Sequence, residues 1–130
     1  MTTIDNRNAI LEGVYSDATV LVPANTTYEA YTVLGLNADG ALTAYSTDND
    51  VEATSDTPAF KGEPSYILAH SITNSDASNS IEYPLARVLE CGDVDIEKAV
   101  FVKAADATNA AVLTSLKNNG IRLVHVDYAN

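Results

Sequence analysis

The stretch "ARVLECGDVDIEKAVF", Ala86 to Phe101, holds the single cysteine of the chain, Cys91, followed within six residues by Asp93, Asp95 and Glu97. A thiol beside three carboxylates suggests metal ligation or nucleophilic attack. Zinc needs three or four ligands, usually Cys or His in close pairs. Cys91 has no CxxC partner, and His70 and His125 fall in different strand-like segments, so such a site needs the fold to bring all three together. Free cysteine is more often a small buried hydrophobe. A cysteine nucleophile needs a base or a cationic setting, whereas the neighbours Glu90 and Asp93 are anionic and oppose a thiolate.

Paired carboxylates for acid–base work can be drawn from Asp93, Asp95 and Glu97. Alternate residues of a strand share one face, and Val94 and Ile96 take the other. That is the pattern of a half-buried strand with its acids in water. The loop Asp48-Asn49-Asp50-Val51-Glu52 starts like a calcium loop, with a further acid, Asp56, at the ninth place. The sixth place, however, is Ala53 where glycine makes the turn, and the twelfth is Ala59 where a bidentate glutamate belongs. The segment reads as a solvated acidic loop. No Gly-rich phosphate loop, GxSxG elbow or HExxH occurs. Seven tyrosines, at 15, 28, 31, 45, 66, 83 and 128, suit strand packing or an interface.

The chain that must position these groups has 130 residues, enough for one domain with one modest core. Hydrophobic residues are 46% of it, so a packed fold is expected. Eighteen acids against seven bases give a net charge of −11. That sign repels polyanions, so neither nucleic acid nor an anionic membrane is an expected partner. One cysteine cannot staple the chain internally. "MTTIDNRNAILEG" lacks the form of a signal peptide, and no run approaches a membrane span. The expectation is a soluble protein made in the cytoplasm.

Residues 1–17 are poorly periodic and read as a loosely ordered arm, with a helix from about Asn8 to Val14 as the competing reading. From Ala18 the texture is β. "ATVLV" stops at Pro23, and "YEAYTVLGL", "NADG" and "ALTAY" read as a hairpin with Gly40 in its turn. Residues 46–63 form a long polar loop. "PSYILAHSI" (64–72) reads as a strand and "TNSDASNS" (73–80) as a polar turn. "IEYPLARVLECG" (81–92) is a strand in which Pro84 demands an edge or bulge, and "DVDIEKAVFV" (93–102) continues as strand. One helix stands out. Asp106 is the expected N-cap of "ATNAAVLTSLKN", with Asn109, Val112, Leu113 and Leu116 as a mostly apolar stripe, Lys117 at the C-terminal end and Gly120 as the left-handed stop. "IRLVHV" (121–126) closes the chain as a strand. The fold class is mainly β (α+β), a small β-rich domain over 18–130 with one late helix.

The order of these elements resembles the lambda-type phage head decoration proteins, the protein D family. The resemblance is carried by Tyr31–Leu36 before a turn, Ile67–Ala69 after a variable loop, Ala86–Gly92 with Val94 to Ala99, and the closing helix with "GIRLV". It spans about residues 18–126 and contains no chemical signature. It implies a homotrimer on the outer surface of the expanded head, at local three-fold positions. There the trimer contacts the major capsid protein and braces the shell against packaged DNA; from the residues themselves no enzymatic role, cofactor or metal is expected. It also implies an N-terminal arm that orders on the coat, for which Ile4, Ile10, Leu11, Val14 and Tyr15 are the expected anchors. Three weakly structured arms on one trimer bind by avidity. The alternative reading is a carbohydrate- or receptor-binding module displayed on a virion or cell surface, drawing on the 46–63 loop and the tyrosines. A small hydrolase is weaker, for want of a base–nucleophile pair.

Overall fold

A computed structural model describes residues 10–125, the first three of them by their backbone alone. Among the described residues eight strands form in chain order: β1 (Ile10–Val22), β2 (Thr26–Tyr28), β3 (Val33–Leu36), β4 (Leu42–Ala44), β5 (Pro64–Leu68), β6 (Ile72–Asn74), β7 (Ile81–Asp95) and β8 (Ile121–Val124). One helix, α1 (Ala110–Asn118), precedes β8. The described residues are β-rich with a single late α-helix, as the sequence pattern leads one to expect.

Pairing runs β1–β4–β3–β5–β7, and β7 pairs back onto β1, so five strands close into a barrel. β8 adds to β7 in parallel outside that ring, from Gly92↔Ile121 to Asp95↔Val124. β2 and β6 make a separate two-stranded ribbon. The short runs of adjacent apolar residues explain the two-sided burial. In β3, β5 and β7 the neighbours Val33/Leu34, Ile67/Leu68 and Val88/Leu89 are all 0% exposed and point to opposite faces. Leu34, Leu68 and Val88 meet Val20, Val22, Leu42 and Ala86 inside the barrel, and Tyr28 and Ile72 of the ribbon join them. Val33, Ile67 and Leu89 pack outside it, under Val112 and Leu116 of α1 and Ile121 of β8. A strand buried on both faces loses the polar–apolar alternation that normally identifies it.

The hairpin β3–β4 matches its expected place. Asn37 organises the turn: its side-chain oxygen accepts from the Asp39 and Ala41 backbone N–H groups, and Gly40 takes φ 82°. The predicted bulge at Pro84 is also present. Between Ala18↔Ala86 and Val20↔Tyr83, β7 carries one residue more than β1, with Pro84 and Leu85 opposite Thr19.

Several expectations are corrected. The loosely ordered arm does not extend to Asp17: Ile10–Asp17 are the first part of β1, in antiparallel register with β7. Partnership, not local pattern, orders these residues, because two further register shifts let an irregular sequence follow a bent partner. Residues 1–9 and 126–130 lie outside the described residues. The strand expected over 64–72 breaks after Leu68, and β6 takes the first residues of the expected polar turn, Thr73 and Asn74. The strand expected over 93–102 ends at Asp95.

The helix cap is corrected as well. Asn109 caps α1, its side-chain oxygen accepting from the Ala111 N–H at 3.0 Å, while Asp106 is buried in a short 3-10 turn (Ala104–Thr108). The C-terminal end follows expectation, with Lys117 in the last turn and Gly120 at φ 95°.

Candidate docking edge

β1 is 13 residues long and lies along β7 from Ile10↔Val94 to Val22↔Ile81. On its other side, among the described residues, the one register partner is Leu42 of β4, opposite Val20. The part of β1 before Val20 therefore presents an open strand edge. Such an edge is a template for another extended chain, because its N–H and C=O groups have no ladder partner.

The expected anchor residues divide along this strand. Ile4 lies outside the described residues. Ile10 and Leu11 sit in the backbone of β1. Val14 is 57% exposed. Tyr15 is half-buried against the cluster under α1, and the Arg87 guanidinium lies 5.0 Å from the centre of its ring. Tyr15 is therefore a packed residue and Val14 an available one. Gly13 makes the close approach of β1 to β7 possible: a Cβ there would overlap the Leu89 side chain and stand 2.8 Å from the Cys91 carbonyl oxygen. Sequence reading passed over Gly13, since nothing in its neighbours marks it.

An open apolar groove of about 320 Å³ begins where β1 and β4 part. Thr19 and Leu21 of β1, Leu36 of β3, Ala41 and Tyr66 line it, with Glu82 at its margin. Leu36 is 52% exposed there. A larger open groove of about 810 Å³ runs between α1 and the end of the acidic loop, lined by Asp50, Lys61, Asn109, Ser115, Asn118 and others.

The residues that suggested chemistry are dispersed. Cys91 is a half-buried free thiol in β7, opposite Val14. His70 is engaged locally: its Nε2 accepts from the Arg87 N–H at 3.1 Å and its Nδ1 stands 3.2 Å from the Ser71 carbonyl. That arrangement assigns the ring proton to Nδ1. His125 is exposed at the end of β8. Among the described residues no group of three His, Cys, Asp or Glu side chains is placed to hold a metal ion.

The three acids after Cys91 do not share a wet face. Asp93 forms a two-pronged ion pair with Arg122 of β8, at 3.1 and 2.9 Å, and the guanidinium holds its carboxyl below the usual range. Asp95 is 0% exposed, and its Oδ1 accepts from the Glu97 N–H at 3.0 Å. Glu97 lies in the exposed turn beyond. Asp95 closes the strand as a turn-forming acid, so alternation misled where the strand ended.

The acidic loop is tied down by its own carboxylates. Asp50 Oδ1 accepts from the Gly62 N–H at 2.9 Å, and Lys103 pairs with Asp48 at 2.8 Å. Asp106, 1% exposed, accepts from the Thr47 N–H at 3.1 Å and from its hydroxyl at 2.7 Å. Burial, and then the charges of Asp50 and Asp106, push the Tyr45 phenol up to about 12.

No known protein family, curated protein or solved structure matches this chain.

Proposed function

We propose that this chain is a non-enzymatic phage capsid decoration protein. It binds as a homotrimer to the outer surface of the expanded head at local three-fold positions, contacts the major capsid protein, and stabilises the shell against packaged DNA. The observation that supports the reading best is the open edge of β1 before Val20, with Val14 exposed on the strand. Residues 1–9 lead directly into that edge, so an extended segment can continue the ladder onto a coat subunit. A short ladder of this kind is weak alone, and three copies on one trimer multiply it through effective concentration. The net charge of −11 suits a protein held on the outside of a DNA-filled shell, with no nucleic acid or membrane as partner.

The test is co-sedimentation with expanded heads. A truncation must stop before Ile10, because Ile10–Tyr15 pair with β7 and belong to the fold. Deletion of residues 2–9 and, separately, Val14→Lys are expected to leave a folded trimer whose binding falls at least about tenfold, the equivalent of about 1.4 kcal/mol. Full occupancy of heads by both variants removes the edge from the account. The carbohydrate-binding alternative draws on the 46–63 loop and the tyrosines, and the groove beside α1 is the one that the end of this loop lines. The aromatic residue in that lining, Tyr45, is 6% exposed and offers no ring face for a sugar.

A further inference from the structure

Asn119–Gly120 is the only place in the sequence where asparagine precedes glycine. Glycine carries no Cβ to shield its nitrogen, and this pair has a reaction of its own. The Gly120 nitrogen can attack the Asn119 side-chain carbonyl carbon. A new C–N bond forms, the bond to the side-chain nitrogen breaks, and the displaced proton leaves with ammonia. Water then opens the cyclic imide to aspartate or isoaspartate, with no change of oxidation state.

The fold opposes every requirement of that step. Asn119 sits at φ −90° and ψ 4°, which turns the Gly120 nitrogen back along the helix, where it donates to the Lys117 carbonyl at 3.0 Å. The Gly120 carbonyl accepts from the Gly92 N–H at 2.9 Å, fixing the start of β8 to β7. The Asn119 side-chain amide donates to the Pro64 carbonyl at 3.1 Å, which ties the end of α1 to β5. Attack requires the α1–β8 junction to open and all three bonds to be released.

We infer that Asn119–Gly120 is a self-modification site that the native fold holds shut, and that its reaction makes a transient opening of the α1–β8 junction permanent. The product cannot close as before. A carboxylate at position 119 has no proton to donate to the Pro64 carbonyl, and the two oxygens then face each other. Isoaspartate also adds a methylene to the main chain just before Ile121, which pairs with Gly92. The site thus records how often the end of α1 has opened.

The experiment compares full-length protein in mildly alkaline buffer with and without denaturing urea, followed over time by peptide mapping with mass spectrometry. In urea, Asn119 is expected to convert before any other asparagine. In buffer, its conversion is expected to be slower by roughly a hundredfold, since three hydrogen bonds must open first. Equal rates in the two conditions, or earlier conversion elsewhere in urea, overturn the proposal. Asn119→Asp reproduces one product without the reaction. It is expected to fold with faster amide exchange at Gly92 and Ile121 than the parent. Exchange unchanged from the parent overturns the one-way step.

Discussion

Asp106 links two parts of the chain that sequence pattern keeps apart, and its removal has a calculable cost. Its carboxylate accepts two hydrogen bonds from Thr47, 59 positions away, across the base of the acidic loop. Asp106→Ala leaves the Thr47 N–H and hydroxyl without that acceptor. Hydrogen bonds to a charged group contribute about 1.5–3 kcal/mol each. Thr47 is only half-buried, so water takes up part of the loss. The expected destabilisation is about 3 kcal/mol in urea unfolding, or roughly 10 °C in melting temperature for a domain of this size. Thr47→Ala removes the shorter bond alone, and the double mutant is expected to fall short of the sum by at least about 1 kcal/mol. As a contrast, Asn109→Ala removes the true cap of α1 and costs about 1 kcal/mol. If Asp106→Ala stays within about 0.5 kcal/mol of the parent, or adds fully with Thr47→Ala, the latch is not what holds the loop.

Other perturbations have equally definite outcomes. Gly13→Ala drives a methyl into the Leu89 side chain and the Cys91 carbonyl, and is expected to destabilise by about 1–3 kcal/mol in the same assay; a neutral result would mean that β1 stands further from β7. Tyr45 ionises near 12, above the ordinary phenol value of 10.0. Its contribution to stability is therefore fully present below 10.0 and is lost as pH rises towards about 12. Ultraviolet titration is expected to find Tyr45 among the late phenols, beside Tyr28, which burial also raises, and Asp106→Ala is expected to shift the Tyr45 phenol downward.

How much of this was legible depended on whether a residue's partner was near in sequence. The β3–β4 turn was readable because Asn37 and Gly40 act within their own loop. The bulge at Pro84 was readable because proline has no N–H to give the ladder. The end of α1 was readable from Lys117 and Gly120. Asp106 and Asp95 were misread as cap and wet-face acid, because burial of an acid depends on distant donors and on where a strand stops. The extent of β1 was misread for the same reason: its order comes from β7, whose partner residues lie more than 60 positions away in sequence for every register pair but Val22↔Ile81. Cys91 and its three acids looked like a reactive centre in one dimension. In three, Arg122, the Glu97 N–H and solvent separate those acids.

The proposed binding to expanded heads has a direct structural readout. It is tested most directly by an electron cryo-microscopy reconstruction of purified expanded heads mixed with saturating protein. Added density is expected at every local three-fold position, built from three copies, with the N-terminal end of each β1 continuing into contact with the coat. Bare shells at saturating protein, or density whose coat contact does not involve β1, would contradict it.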